Sequence, residues 1–102
     1  MKTLKFKDWI CQIEIGQYFN GRIAISLIGA KGTEYYGEPI ATATTCLPEI
    51  ELEEGYLHIK EWSENKGMTE ALIKAGIIEN QFQTREINQY GDFVVVAKIK
   101  NL

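Results

Sequence analysis

Residues Tyr56 to Ile78 read YLHIKEWSENKGMTEALIKAGII. A short alternating strand, Tyr56 to Glu61, runs into a polar turn, and the turn runs into the chain's one clear amphipathic helix. Leu57 and Ile59 point inward, while Tyr56, His58 and Lys60 share the opposite face by period two. Ser63 suits a helix N-cap, with Glu64 favourable in the first turn. Met68, Ala71, Leu72 and Ala75 follow i, i+3, i+4, i+7 spacing and form the buried stripe. Glu70 and Lys74 make an i,i+4 pair on the wet face. Gly67 weakens the early helix and allows a start as late as Met68. Gly76 suits the residue after the C-cap, and Ile77 the hydrophobic contact beyond it. Everything around this helix reads as strand, so the stretch sets the fold class as α+β.

Upstream, Trp9, Cys11, Ile13 and Ile15 alternate with Gln12 and Glu14, as in a half-buried strand. Ile23, Ile25 and Leu27 form a second alternation, and Asn20-Gly21 between them signals a hairpin. A two-residue Asn20-Gly21 loop would set Glu14 beside Leu27 and put the apolar sets on opposite faces. A three-residue loop, Phe19-Asn20-Gly21, sets Ile13 opposite Leu27 and Ile15 opposite Ile25. Gly21 then takes the left-handed position of a bulge after a type I turn. The second register is preferred, and a bulge at Gly16 could achieve the same correction. Residues 29–39 (GAKGTEYYGEP) are glycine-rich and read as a loop. Ile40 to Leu47 reads as a strand whose small face, Ala41 and Ala43, lets another element approach closely; Pro48 ends it. The connector EIELEEG is acidic, with Ile50 and Leu52 available to pin it.

Downstream, Phe82 to Ile87 is a weak strand candidate. Gly91-Asp92 precedes the strongest β run, Phe93 to Ile99 (FVVVAKI), which reads as a central strand. The expected architecture is one domain over residues 1–102. It is a mainly antiparallel sheet of about five to six strands, with one helix on one face, in the order β-β-β-β-α-β-β. A sheet covered on one face leaves the other open, and a homodimer could form there.

Composition bounds the function classes. Apolar content of 45% and charged content of 25% are those of a globular chain. Cys11 and Cys46 are too few for a disulfide framework and read as small buried hydrophobes. MKTLKFKDW lacks the apolar run of a signal peptide, and no window approaches the ~18 apolar residues of a membrane span. These features predict a cytoplasmic protein with no membrane partner. Net charge is −3, unevenly spread. Residues 1–31 carry five bases against two acids, and residues 32–70 carry nine acids against Lys60 and Lys66. The acidic middle third suits a basic partner surface, with solubility as the plainer reading.

The search for chemistry finds none. His58 is the only histidine, it lies in a strand, and no acid–base partner stands at a defined spacing. No CxxC, HxxxH or HExxH pattern points to a metal site, and no glycine-rich phosphate loop appears. Glu49, Glu51, Glu53 and Glu54 lack calcium-loop spacing. No catalytic residue, metal or cofactor is therefore expected. A pI of about 5.2 runs against direct nucleic-acid binding, although Lys2, Lys5, Lys7 and Arg22 make a local basic edge. Tyr35 and Tyr36 sit in the glycine-flanked loop, where at least one should be exposed as an interface anchor.

The segments EPIATATTCLPE and IKEWSENKGMTEALIKAGIIE resemble a family of small proteins of Gram-positive plasmids, integrative elements and prophages. The shared pattern is an I-A-T-A-T strand ending in L-P, then I-K-x-W-S-E-N-x-G-M-x-E-A-L, then A-G-I, spanning Pro39 to Glu79. The resemblance carries no active site. It implies a non-enzymatic accessory protein that binds and blocks host defence, specifically an anti-CRISPR protein acting on an RNA-guided DNA nuclease. Such nucleases have basic nucleic-acid channels. Glu49, Glu51, Glu53 and Glu54 are the expected charged contacts, with Tyr35 and Tyr36 as anchors. The alternative is a DNA-associated or replication accessory protein of a mobile element.

Overall fold

A computed structural model describes residues 3–100. The chain forms β1 (Thr3–Phe6), β2 (Trp9–Gln17), β3 (Ile23–Gly29), β4 (Pro39–Thr42) and β5 (Tyr56–Ile59). A 3-10 turn (Ser63–Asn65), helix α1 (Met68–Lys74), β6 (Ile78–Glu86) and β7 (Phe93–Ile99) follow. The class is α+β with one α-helix among the described residues, as the sequence predicts. The expectation of five to six strands in one sheet is corrected to seven strands in two antiparallel sheets, ordered β1-β2-β3-β4 and β5-β7-β6.

The β2–β3 hairpin adopts the register that aligns its apolar sets. Ile13 pairs with Leu27 and Ile15 with Ile25. Tyr18 N–H donates to Arg22 O at 2.8 Å around Phe19-Asn20-Gly21, and Gly21 has φ 83°. Only glycine enters that region without a Cβ penalty, which is why the turn sits there. The inner face of β2 is shorter than expected. Cys11 is buried and Ile13 half-buried, but Trp9 and Ile15 remain 42% and 44% exposed. A nine-residue strand spans about 30 Å, so its ends overhang the core.

The stretch after β4 stitches the two sheets together. Ala43 N–H donates to Ile25 O at 2.9 Å, and Lys60 N–H donates to Ala43 O at 2.8 Å. Thr44 pairs with Ile59, and Thr45 N–H donates to His58 O at 3.1 Å. The strands therefore form one curved ribbon with β1 and β6 at its ends. Helix α1 packs against both of those end strands. One core cluster runs through the whole ribbon, with Leu4 and Phe6 of β1, Leu27, Leu57, Ile59, Met68, Leu72, Ile78 and Ala97 among its members.

The helix begins at Met68, the late limit that Gly67 allowed. The expectation that Ser63 caps it is corrected. Ser63 lies in the 3-10 turn with φ 54°, and Gly67 is the N-cap with φ 93°. A left-handed residue cannot continue a helix, so the first turn needs acceptors from elsewhere. Glu61 supplies them. Its carboxylate accepts from Gly67 N–H at 2.7 Å, Thr69 N–H at 2.9 Å and Thr69 Oγ1 at 2.7 Å. At the other end Gly76 N–H donates to Ile73 O and Ile77 N–H to Leu72 O, a Schellman closure with Ile77 buried. Glu70 and Lys74 form the exposed pair at 3.5 Å.

Asn65 locks this turn onto the stitched strands. It is 2% exposed, and its Nδ2 donates to Thr42 O at 2.7 Å and Lys60 O at 3.1 Å. Asn65→Ala would strand two carbonyls at the sheet junction. The expected outcome is a loss of about 2–3 kcal/mol in urea unfolding, well beyond the about 0.5 kcal/mol of an ordinary surface change.

Candidate protein-binding surface

The acidic connector, residues 48–55, is held by two arginines that sequence reasoning did not assign to it. Arg22, just before β3, donates from Nη1 to Leu47 O and from Nη2 to Ile50 O, both at 2.7 Å. That fork spans a turn closed by Ile50 N–H on Leu47 O at 3.0 Å. Arg85 of β6 donates from Nη1 to Glu51 O at 3.2 Å. Gly55, with φ 86°, and the Tyr56 N–H bond to Glu53 O return the chain to β5. Charge-assisted bonds to carbonyls are stronger than neutral ones, so the backbone path is well specified. Glu49, Glu51, Glu53 and Glu54 are all exposed, and Ile50 and Leu52 are half-buried beneath them. No short-range pattern links Arg22 or Arg85 to the connector; both partners are distant in sequence.

Between the connector and the β5–β7–β6 sheet lies an open cleft of about 370 Å³. Glu51, Glu53, Tyr56, Gln83, Arg85 and Lys98 line it. Its charges are mixed, and it holds neither a histidine nor a cysteine. Among the described residues no group of three or more His, Cys, Asp or Glu side chains is placed to hold a metal.

The tyrosine loop divides its two rings. Tyr35 folds back: its hydroxyl accepts from Ile10 N–H at 2.9 Å, and its ring meets Trp9 edge-on at 4.9 Å. Gly29 makes room for it, since a Cβ there would strike the Tyr35 backbone carbonyl. Tyr36 points out and is 57% exposed. The loop follows Gly29, whereas Arg22 and the connector lie at the other end of β3. Seven strand residues separate them by about 23 Å. The tyrosines and the glutamates proposed from sequence are therefore two separate surfaces.

The expected basic edge also divides. Lys2 lies outside the described residues, and Arg22 is committed to the connector. Lys5 and Lys7 instead line a groove with Lys66 and Lys74 from around α1, with Glu70 beside them. Lys7 Nζ donates to Glu64 O at 2.6 Å. Cys11 is fully buried and burial raises its thiol pKa, which leaves it unreactive; Cys46 is half-buried, with Asn20 Nδ2 at 3.5 Å.

His58 was expected on the outward face of β5. It is on that face but 2% exposed, and neither ring nitrogen has a hydrogen-bond partner among the described residues. Burial, then the charges of Arg22 and Arg85, hold its pKa below the usual value of about 6.5, with Glu49 opposing. Among the described residues no helix is long and apolar enough to cross a membrane. Comparison with family models, with curated proteins and with solved structures gives no match.

The His58 environment sets a pH dependence. The unfolded chain takes up a proton near pH 6.5, and the folded chain only at lower pH. Stability is therefore full above about pH 6.5 and falls as the pH drops below it. Urea titrations between about pH 5 and about pH 8 are expected to show this slope. His58→Leu is expected to reduce it and to cost little at neutral pH, because no hydrogen bond is lost.

Proposed function

We propose that this chain is a non-enzymatic accessory protein of a mobile element that binds and blocks a host-defence protein. The specific reading is an anti-CRISPR protein that occupies a basic nucleic-acid channel of an RNA-guided DNA nuclease. One observation carries the binding part: four exposed carboxylates stand on a connector whose carbonyls are held by Arg22 and Arg85. A backbone already ordered before binding loses less entropy on association. Glu49, Glu51, Glu53 and Glu54 meet the basic surface, and Tyr36 belongs to a second contact area. The resemblance over Pro39 to Glu79 supplies the defence context.

The lysine groove between β1 and α1 favours a second reading, a DNA-associated accessory protein. Lys5, Lys7, Lys66 and Lys74 converge there from separate parts of the chain. Binding through that groove would strengthen as salt falls.

The two readings separate in one set of measurements. Affinity for a purified RNA-guided nuclease is expected to fall with salt, and to fall at least about tenfold when Glu49, Glu51, Glu53 and Glu54 become glutamine. Binding that ignores both changes removes the electrostatic reading. Gel shifts with single- and double-stranded DNA that depend on Lys5, Lys7, Lys66 and Lys74 would establish the second reading instead.

A further inference from the structure

Strand β6 is a free edge. Among the described residues it pairs only with β7, on one side, and α1 covers only its start: Ile78 is buried, while Glu79 to Glu86 are all exposed. The direction of its backbone groups follows from the hairpin closure. Ile87 N–H donates to Asp92 O at 2.9 Å, so Ile87, Arg85 and Gln83 bond toward β7. By antiparallel alternation, Phe82, Thr84 and Glu86 turn their N–H and C=O groups to the open side. Between Ile78 and Phe82 β6 advances four residues while β7 advances two, so Glu79 to Gln81 are released from β7's register.

The side chains on this edge are self-complementary. Around Phe82 the strand reads Glu79-Asn80-Gln81-Phe82-Gln83-Thr84-Arg85, acid to base through amides and a hydroxyl. A two-fold axis at Phe82 opposes Phe82 to its own copy, Gln81 to Gln83, Asn80 to Thr84, and Glu79 to Arg85 at both ends. No like charges face each other in this register. Phe82 is 48% exposed and would meet its own copy on the axis.

We infer that the chain forms a homodimer by antiparallel pairing of β6 with β6 of a second copy, with Phe82 on the two-fold and Glu79–Arg85 pairs at its ends. The pairing joins the β5-β7-β6 sheets of the two copies edge to edge, and with them the two ribbons. The surface shares Arg85 with the connector, where that side chain holds Glu51 O.

Sedimentation equilibrium of the full chain tests it. The wild type is expected to show a concentration-dependent dimer between about 1 and about 500 μM. Thr84→Pro removes an N–H that faces the open edge and no bond to β7, so it should abolish the dimer while keeping the circular dichroism spectrum and melting temperature. Glu79→Lys and Arg85→Glu should each weaken the dimer about tenfold, and the double variant should return to within about threefold of wild type. Arg85 also holds Glu51, so Glu79→Lys is the cleaner single change. A monomer at the highest concentration overturns the inference. So does a dimer indifferent to Thr84→Pro, or a double variant as weak as the singles.

Discussion

The structure depends on three residues, Ala43 to Thr45, that hydrogen-bond on both sides. Ala43 gives its N–H to Ile25 and receives Lys60; Thr44 pairs with Ile59, and its hydroxyl also accepts from Ile25 N–H at 3.1 Å. Without this stitch a four-stranded and a three-stranded sheet would each carry two open edges. With it, among the described residues only β1 and β6 remain as edges; α1 lies against β1 and against the start of β6. Ala43 is fully buried at the crossing, where a larger side chain would hold the neighbouring strands apart.

The turn from Glu61 to Gly67 serves this junction and the helix together. Asn65 satisfies carbonyls from both stitched segments, and Glu61 satisfies the helix start that Gly67 leaves open. The residues of this turn are thus mostly scaffold. The same ribbon positions Arg22 and Arg85 from opposite sheets beneath the connector; they hold its path, and their charges add to the burial that lowers the pKa of His58. The acidic surface and the buried imidazole share one electrostatic environment.

Local chemistry made some elements legible. The β2–β3 register followed from Gly21 and from the cost of splitting two apolar sets, because side-chain alternation has period two. The helix stripe and its Gly76 stop were legible for the same kind of reason, a periodic pattern with a matching cap. Strand β1 was hidden because four residues are too few for a clear period, although Leu4 and Phe6 alternate with Thr3 and Lys5 and enter the core. Strand β6 was legible only as a weak candidate over Phe82 to Ile87, because its residues from Glu79 onward are exposed on both faces and no burial period exists to read. Ser63 looked like a cap because the true cap, a carboxylate six residues before Gly67, has no standard spacing.

By itself the sequence determined the α+β class, the hairpin register, the helix stripe and the exposure of the four glutamates. Each rests on interactions between residues close along the chain or on the polarity of single side chains. Only the tertiary structure decided how the two sheets join, that Arg22 and Arg85 hold the connector, that Tyr35 turns in while Tyr36 turns out, and that His58 is buried on a nominally outward face. Those outcomes depend on groups separated by tens of residues, whose meeting is set by the curvature of the ribbon and by the demand that buried backbone groups be paired.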